Sequence, residues 1–399
     1  MPLPRFIPAL ALVVPALVAA PAAAPPAGGA QVSTAPQKDA VTRSDEAFAK
    51  GVALHQAGDI IGAIDAYDQA LKLTPWRLDA RSNLGAALVR LGRFEDAVEH
   101  YRKALETDPG QVAIRFNLGL ALYKTGLAEA AAAEFQQVLD RDPSQRSALL
   151  LLADCQLQLG NDARVVELLA PLEPELGDDR LYAYLLGHAL LRRNEVQRGQ
   201  AVIDRLFRGG ESAEGHLLLG VQHMGRADSR EAVPELQRAA ELNPDLPTVH
   251  SLLGVALMNA GDRPAAMTAF RRELKTNPND FQANLRLGLL LRDENRLDEA
   301  SDYLARAARL RPRDPDVMYA MARIQLGRED LDAAQKTLEE LTASAPEFEG
   351  GHVLLATVYY RRGRKDDGDR ERAVVERLKA ERRQRELDGA GETPGEGRP

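Results

Sequence analysis

Apolar and polar positions along the chain follow a pattern that recurs every 34 residues, with one step of 33 between Gly187 and Gly220. Three of the clearest copies are LGAALVRLGRFEDAVEHYRKALETDP at 84–109, LGLALYKTGLAEAAAAEFQQVLDRDP at 118–143 and LGVALMNAGDRPAAMTAFRRELKTNP at 253–278. Each of these opens on Leu-Gly, has a small residue in its middle with an aromatic four residues later, and ends on proline. The first small residue of the successive copies is Gly51, Gly85, Gly119, Ala153, Gly187, Gly220, Gly254, Gly288, Ala322 and Ala356.

Each copy contains two stretches with helical periodicity. In VAIRFNLGLALYKTG, residues 112–126, apolar residues recur at the spacing of an α-helix, and Gly126 marks its end. In LAEAAAAEFQQVLDRDP, residues 127–143, the same periodicity continues until Pro143, which stops a helix because it lacks the amide and its ring clashes with the preceding turn. One helix pair cannot bury its apolar stripe alone, whereas stacked pairs bury a continuous core. The pattern therefore predicts an all-α stack of helix pairs.

This arrangement resembles the tetratricopeptide repeat, a 34-residue helix–turn–helix unit. The resemblance covers residues 44–382, with nine copies in phase and a partial tenth. It implies an all-α solenoid that winds into a right-handed superhelix. It says little about chemistry, because such folds are scaffolds onto which binding sites are built.

Copies four and five depart from the pattern. Pro171 and Pro174 fall inside the second helix of copy four and predict that this helix ends early. Copy five has Gly199 where Ala is expected, and it ends in FRGGES without a proline. Two alternatives follow for residues 165–213: a hinge between two blocks of repeats, or ordinary packing of copies whose sequence has drifted.

The two ends of the chain differ from the repeats. The apolar run FIPALALVVPALVAA at 6–20 follows Met1 and Arg5 and is typical of a secretory signal, with cleavage expected after Ala30. An uncleaved tail or membrane anchor is the alternative. The charged C-terminal end would cap the last apolar face of the stack. The predicted segments are a signal peptide (1–30), a flexible leader (31–43), a first repeat block (44–164), degenerate repeats (165–213), a second repeat block (213–348), a partial repeat with a charged capping helix (349–387) and a disordered tail (388–399).

Composition and motifs narrow the function classes. The net charge of −8 argues against a nucleic-acid partner, since phosphates require a basic face. Cys155 is the only cysteine, so neither an internal disulfide nor a cysteine metal site is expected. The sequence lacks HExxH, GxSxG and GxxxxGK[ST] motifs, and the nearest approach to a metal site is His216 with His223. We therefore expect no catalytic residues, no cofactor and no metal ion.

The resemblance also implies where partners would bind. In tetratricopeptide superhelices the first helix of each copy lines the concave side, and an extended or helical peptide fits a groove of aromatic, amide and cationic groups. The groove candidates are Asn83, Arg90, Phe116, Asn117, Tyr123, Lys124, Tyr184, Arg192, Tyr319 and Tyr360. For each aromatic residue, packing between copies is the alternative to a place in the groove.

One specialised groove of the family clamps the terminal carboxylate of a peptide with Lys, Asn and Arg from three successive copies. The matching residues in the first three copies here are Phe48, Val52, Asn83, Ala113 and Asn117. Only the central asparagine agrees with that arrangement, so we do not expect this kind of peptide-tail binding.

These observations predict a non-catalytic scaffold or adaptor that binds protein partners through a concave groove. The signal sequence predicts that the protein is exported to the periplasm of a bacterial envelope. Two alternatives stay open: a regulatory or assembly subunit of an envelope enzyme complex for polysaccharide or cell-wall synthesis, and a membrane-tethered adaptor. Neither nucleic acid nor a lipid anchor is expected, because the chain is acidic and no cysteine lies near the signal. The sequence does not indicate an oligomeric state.

Overall fold

The computed structural model describes residues 35–177 and 179–391, with side chains over 39–177 and 179–384. All regular secondary structure in these ranges is helical. The predicted signal peptide (1–30) and residues 392–399 of the predicted tail lie outside the described residues.

The helices belong to two compact units, residues 1–261 and 262–399. Unit 1 contains α1 (Ala35–Ala57), α2 (Ile60–Leu73), α3 (Leu78–Arg90), α4 (Phe94–Thr107), α5 (Val112–Lys124), α6 (Ala128–Arg141), α7 (Arg146–Gln158), α8 (Asp162–Leu169), α9 (Glu173–Leu176), α10 (Arg180–Arg192), α11 (Val196–Leu206), α12 (Ala213–Gly225), α13 (Ser229–Leu242) and α14 (Val249–Asn259). Unit 2 contains α15 (Arg263–Thr276), α16 (Phe281–Asp293), α17 (Leu297–Leu310), α18 (Pro315–Gly327), α19 (Leu331–Ser344), α20 (Glu349–Arg361) and α21 (Lys365–Gly391).

Within each unit the helices form two layers. A second helix packs against the first helix of its own pair and against the first helix of the next pair, as α4 does with α3 and α5, and α15, which begins unit 2, packs against α16. Successive first helices also contact one another: α1 with α3, α3 with α5 and α10 with α12 in unit 1, and α16 with α18 and α18 with α20 in unit 2. The first helices therefore form a continuous layer, the first-helix layer, in each unit. This confirms the predicted all-α solenoid of helix pairs.

The small and large residues of the repeat fit into each other. A Cβ atom placed on Gly85 would lie 2.7 Å from Cε1 of Tyr101, and one on Gly119 would lie 2.7 Å from Cε1 of Phe135. Tyr101 and Phe135 are fully buried in the second helices α4 and α6. The small residue of these copies thus faces the second helix of its own pair.

The turn between the two helices of a pair uses the left-handed region of backbone space. Gly126, which the sequence predicts as the end of α5, has φ of +80°. Ala227 and Glu329 have φ of 61° and 60° at the matching turns of their copies. A side chain in this conformation costs about 1–2 kcal/mol relative to glycine, so these two copies carry a small strain that copies with glycine at this turn, such as Gly261, avoid.

The degenerate copies keep their place in the stack with shorter second helices. Helix α8 ends at Leu169, as Pro171 predicts, and continues into a 3-10 turn at 170–172 and the short helix α9. The Tyr182 hydroxyl donates to the Leu169 carbonyl at 2.8 Å, which ties α10 to the end of α8. Helix α10 also contacts α7 and α12, so packing continues through this segment. The division between the units follows Gly261, and a hinge at 165–213 stays a prediction.

One slot of the first helix joins successive copies. Arg115, Asn284 and His352 stand four residues before the small residue, and each contacts the carbonyl of the proline that ends the preceding copy, at 3.0, 2.9 and 3.0 Å. His216 occupies the same slot, and its Nδ1 lies 2.7 Å from Glu235 Oε2. The histidine that came nearest to a metal-site pattern therefore has a neighbour in the second helix of its own copy.

Candidate functional site

The candidate groove of unit 1 is a polar cluster on the first-helix layer, where α5 meets α7. The Tyr123 hydroxyl donates to Asp154 Oδ2 at 2.5 Å, and Gln158 Nε2 donates to the same oxygen at 2.8 Å. Lys124 Nζ lies 5.8 Å from the centre of the Tyr123 ring. These four residues form the α5–α7 cluster, which brings the predicted Tyr123 and Lys124 together.

Burial shifts the pKa values of this cluster. It raises the pKa of Asp154, an effect that the hydrogen bonds from Tyr123 and Gln158 and the charge of Lys124 oppose. Burial, followed by the Asp154 charge and hydrogen bond, holds the pKa of Tyr123 well above its ordinary value, so its hydroxyl stays a donor. Burial lowers the pKa of Lys124, against the attraction of Asp154. The cluster therefore brings a hydroxyl, a carboxyl and an amino group together within one patch.

Two further candidates lie on α10. Tyr184 is 3% exposed, and its hydroxyl lies 3.3 Å from Thr248 Oγ1 just before α14. Its ring meets the His188 ring edge-on, with 5.7 Å between centres. Burial, and then the charge of Arg192, lower the pKa of His188 to about 3, so this imidazole is neutral at physiological pH. Tyr184 is thus a buried link between α10 and Thr248 rather than an open groove wall.

Arg90 and Arg192 have a role that the sequence did not predict. Each stands at the end of its first helix and donates to a carbonyl in the last turn of an earlier first helix, Arg90 to His55 and Arg192 to Leu157, both at 3.4 Å. Arg192 also lies 3.2 Å from Asp162. A cation at a helix C-terminus interacts favourably with its exposed carbonyls. These two arginines connect neighbouring copies.

The asparagines and Phe116 are buried in α3 and α5. Asn83 and Asn117 are 7% and 8% exposed, and Asn83 Nδ2 has no hydrogen-bond partner among the residues that the structure describes. The Phe116 ring packs against Phe135 of the same copy, with 5.7 Å between centres. For Phe116 the alternative of packing within the stack therefore applies.

Tyr319 and Tyr360 are the candidates of unit 2. The Tyr319 ring packs on Phe348 with 5.5 Å between centres, where α20 begins. The Tyr360 hydroxyl donates to Asp369 Oδ1 at 2.7 Å, and its ring lies over Gly368 of α21. Tyr360 keeps 36% of its surface exposed. Tyr319 thus packs between successive copies, and Tyr360 packs on the second helix of its own pair.

Sequence reasoning missed Asp154 and Gln158. Asp154 directly follows the small residue Ala153, a slot that carries an apolar residue in most other copies. A single carboxylate in that slot, one helix away from Tyr123, is the signal that could have identified the cluster.

Within 39–177 and 179–384, no group of three or more His, Cys, Asp or Glu side chains is arranged to hold a metal ion. None of the described helices is both long and apolar enough to cross a bilayer.

Comparison with known families agrees with this architecture. A tetratricopeptide repeat model matches residues 48–112, 82–145, 217–280 and 251–315. A second model of the same repeat matches residues 125–189 and 291–352. Together these matches cover more than half of the chain. The protein belongs to the tetratricopeptide repeat family, whose arrays act as protein-interaction scaffolds.

Solved structures of the protein MamA are among its structural neighbours. The MamA RS-1 ArsTM double mutant has 24% identity and a TM-score of 0.41, covering 43% of this chain and 97% of its own. MamA 41-end from Desulfovibrio magneticus RS-1 has 24% identity and a TM-score of 0.40, with the same coverage. A further crystal structure of MamA has 17% identity and a TM-score of 0.39, covering 42% of this chain and 97% of its own. No curated protein sequence matches the chain.

Proposed function

We propose that the protein is a non-catalytic scaffold that binds an extended peptide segment of a partner along the first-helix layer of unit 1. The observation that carries this proposal is Asn83, a buried amide whose nitrogen has no acceptor in the described part of the chain. A buried donor without a partner costs about 1–3 kcal/mol. A backbone carbonyl of a bound peptide would supply the missing acceptor.

The direction of Asn83 supports this role. It stands two residues before Gly85, and Gly85 faces Tyr101 of the second helix. Because an α-helix turns by about 100° per residue, a side chain two residues earlier points away from that second helix. Leucine occupies the same slot at Leu151, Leu185, Leu218, Leu252 and Leu354. An apolar side chain thus suits this slot, and packing gives no reason for an asparagine.

The neighbouring groups extend the binding surface along the layer. Asn117 occupies the Asn83 slot on the next first helix, α5, and the α5–α7 cluster continues to α7. Amides, a tyrosine and charged groups on three successive helices suit a peptide in extended conformation, since its backbone presents carbonyls and amides at regular intervals.

We expect Asn83→Leu together with Asn117→Leu to weaken partner binding while leaving the stack as stable as before, or more so. Replacement of an unsatisfied buried amide by leucine removes its desolvation cost and adds buried apolar area. The measurement is affinity capture from an envelope extract with both chains as bait, alongside thermal unfolding of each. Partner recovery should fall at least about ten-fold, which corresponds to about 1.4 kcal/mol.

Gln137→Ala is the control, because Gln137 is an exposed amide on the second helix α6. It should retain the partner in full. If a partner remains bound to the double leucine variant, the binding site does not lie in unit 1. If the captured partner is an envelope enzyme whose activity changes on binding, the scaffold is a regulatory subunit of that enzyme.

We also propose that the chain is exported. The basis is the apolar run at 6–20 behind Arg5, with small residues up to Ala30. N-terminal sequencing of the protein recovered from a periplasmic fraction should begin at Gln31. Recovery of the intact Met1 terminus in the membrane fraction would favour the tethered adaptor instead, and in the cytoplasm it would exclude export.

A further inference from the structure

The first helices of unit 2 carry a row of arginines that the proposed function does not use. Arg286 lies on α16, Arg323 on α18 and Arg361 on α20. Arg323 and Arg361 are exposed, and Arg286 is half-buried with its Nε inaccessible and lacking an acceptor. In the part of unit 2 that the structure describes, none of the three guanidinium groups has an ion pair within 4.0 Å. We call this set the arginine row.

The three arginines lie on corresponding faces of their helices. They stand two residues before, one residue after and five residues after the small residues Gly288, Ala322 and Ala356. Gly288 faces the second helix, since a Cβ on it would lie 2.7 Å from Leu304 of α17. At about 100° per residue, these slots point about 100–160° away from that direction. Because α16 contacts α18 and α18 contacts α20, the row crosses adjacent helices of the first-helix layer.

Three other arginines of unit 2 have carboxylate partners. Arg296 lies 2.7 Å from Glu299, Arg328 lies 2.6 Å from Asp298, and Arg362 lies 2.6 Å from Asp332. These pairs lie at the turns and on the second helices. The three arginines of the row have no such partner among the described residues, so they form a positive row along the first-helix layer. A half-buried cation without a counter-charge is costly, so an anionic ligand near Arg286 would stabilise this surface.

The surroundings of the row indicate the kind of ligand. Val353 is 45% exposed on α20, and Leu289 and Leu354 are half-buried on the same layer. The acidic side chains on these helices stand at the helix ends and are Asp293, Asp316 and Glu349. Asp293 lies 2.7 Å from Arg292. Apolar side chains between the cations suit a peptide, whereas a nucleic-acid backbone calls for more cations and for stacking surfaces. The net charge of −8 disfavours nucleic acid further.

We propose that the arginine row binds an acidic segment of a partner protein, with carboxylates at every third residue of an extended chain. This surface lies in unit 2 and is separate from the Asn83 groove. The arginine-row proposal rests on the proposed function only in that both surfaces bind a peptide.

The spacing follows from helix geometry. Packed helices lie about 8–10 Å apart, and the row rises by three and then four residues, about 4.5 and 6 Å, from one helix to the next. The backbone positions of successive arginines are therefore about 10–11 Å apart. A polyproline II chain rises about 3.1 Å per residue with three residues per turn, so every third side chain lies on one face at intervals of about 9 Å. The flexible arginine side chains make up the difference.

The test uses a fluorescent, acetylated and amidated peptide that contains three copies of Glu-Pro-Leu. Its controls are an isomer with the three glutamates adjacent and an analogue with glutamine in their place. Fluorescence anisotropy with the full chain, at about 50 mM salt where charge interactions are weakly screened, measures Kd. We expect the spaced peptide to bind at least ten-fold more tightly than both controls, and Arg323→Gln to weaken it about ten-fold.

Arg309→Gln is the matched control, since it removes one exposed arginine from the second helix α17. It should change Kd by less than about two-fold, as a distant surface charge does. Asn83→Leu should leave this binding unchanged, so a failure of the groove proposal and a failure of this one are distinguishable. Equal binding of the adjacent-glutamate isomer, equal loss with Arg309→Gln, no binding of the spaced peptide, or tighter binding of a short oligothymidylate would each overturn the proposal.

Discussion

Gly119→Ala should destabilise unit 1 by about 1–3 kcal/mol, although alanine normally stabilises a helix interior by about 1 kcal/mol relative to glycine. The reason is the Phe135 ring. A Cβ on Gly119 would lie 2.7 Å from its Cε1, closer than van der Waals contact permits. Phe135 is fully buried in α6 and also packs against the ring of Phe116, so it has little space to move. Urea unfolding followed by circular dichroism measures the change.

The repeat supplies both a rescue and a control for this prediction. Copy four pairs Ala153 with Leu169, and copy nine pairs Ala322 with Leu338, in the slots that hold Gly119 and Phe135. Phe135→Leu should therefore restore much of the loss in the Gly119→Ala background, with a coupling energy of about 1 kcal/mol or more.

Gly225→Ala is the control, because Gly225 is also helical and a Cβ there would meet nothing within 4 Å. It should leave stability unchanged or raise it by up to about 1 kcal/mol. If Gly119→Ala proves as harmless as Gly225→Ala, the close approach of the helices is not what places glycine at this slot.

The architecture was predictable because it depends on spacing within one copy. The periodic apolar residues define two helices, Gly126 and Pro143 end them, and Pro171 shortens α8. Each of these is a local property of backbone and side chain, so a single copy is enough to infer it.

The groove was only partly predictable, because its contacts join side chains from different copies. Tyr123 was named for its slot, but its partner Asp154 comes from the next copy. Arg90 was assigned to the groove, yet it reaches back to the His55 carbonyl of the preceding copy. Arg361 stands in the same slot as Arg90, but the row it forms depends on Arg286 and Arg323, which stand in different slots of their copies. The resemblance gives the face of each helix, and the structure is needed to show which side chains meet across helices.

Acid should destabilise unit 1 through His188, by about 2 kcal/mol between pH 7.5 and pH 5. Burial, and then Arg192, lower the pKa of His188 to about 3 in the folded chain. An unfolded histidine has a pKa of about 6.5. As the pH falls below 6.5, the unfolded chain binds a proton that the folded chain does not bind. The free energy of unfolding therefore falls by about 1.4 kcal/mol per pH unit until the pH approaches 3.

His188→Leu isolates this effect from the rest of the chain. The slot directly after the small residue holds Leu120 and Leu289 in other copies, so leucine fits it. Burial lowers the pKa of His55 and His100 as well, and these two should leave the variant with a weaker acid sensitivity of the same sign. The free energy of unfolding, measured in urea at pH 7.5 and at pH 5, should fall by about 2 kcal/mol more in the parent chain than in the variant.

Arg192→Gln tests the second cause of the same shift. Removal of its charge should raise the pKa of His188 and reduce the acid sensitivity, while the burial that dominates the shift remains. The resonance of the His188 ring should then begin to titrate at a higher pH than in the parent chain. If the ring of the parent chain titrates near 6.5 instead, solvent reaches His188, and α10 is open to water at a point where the structure packs it between α7 and α12.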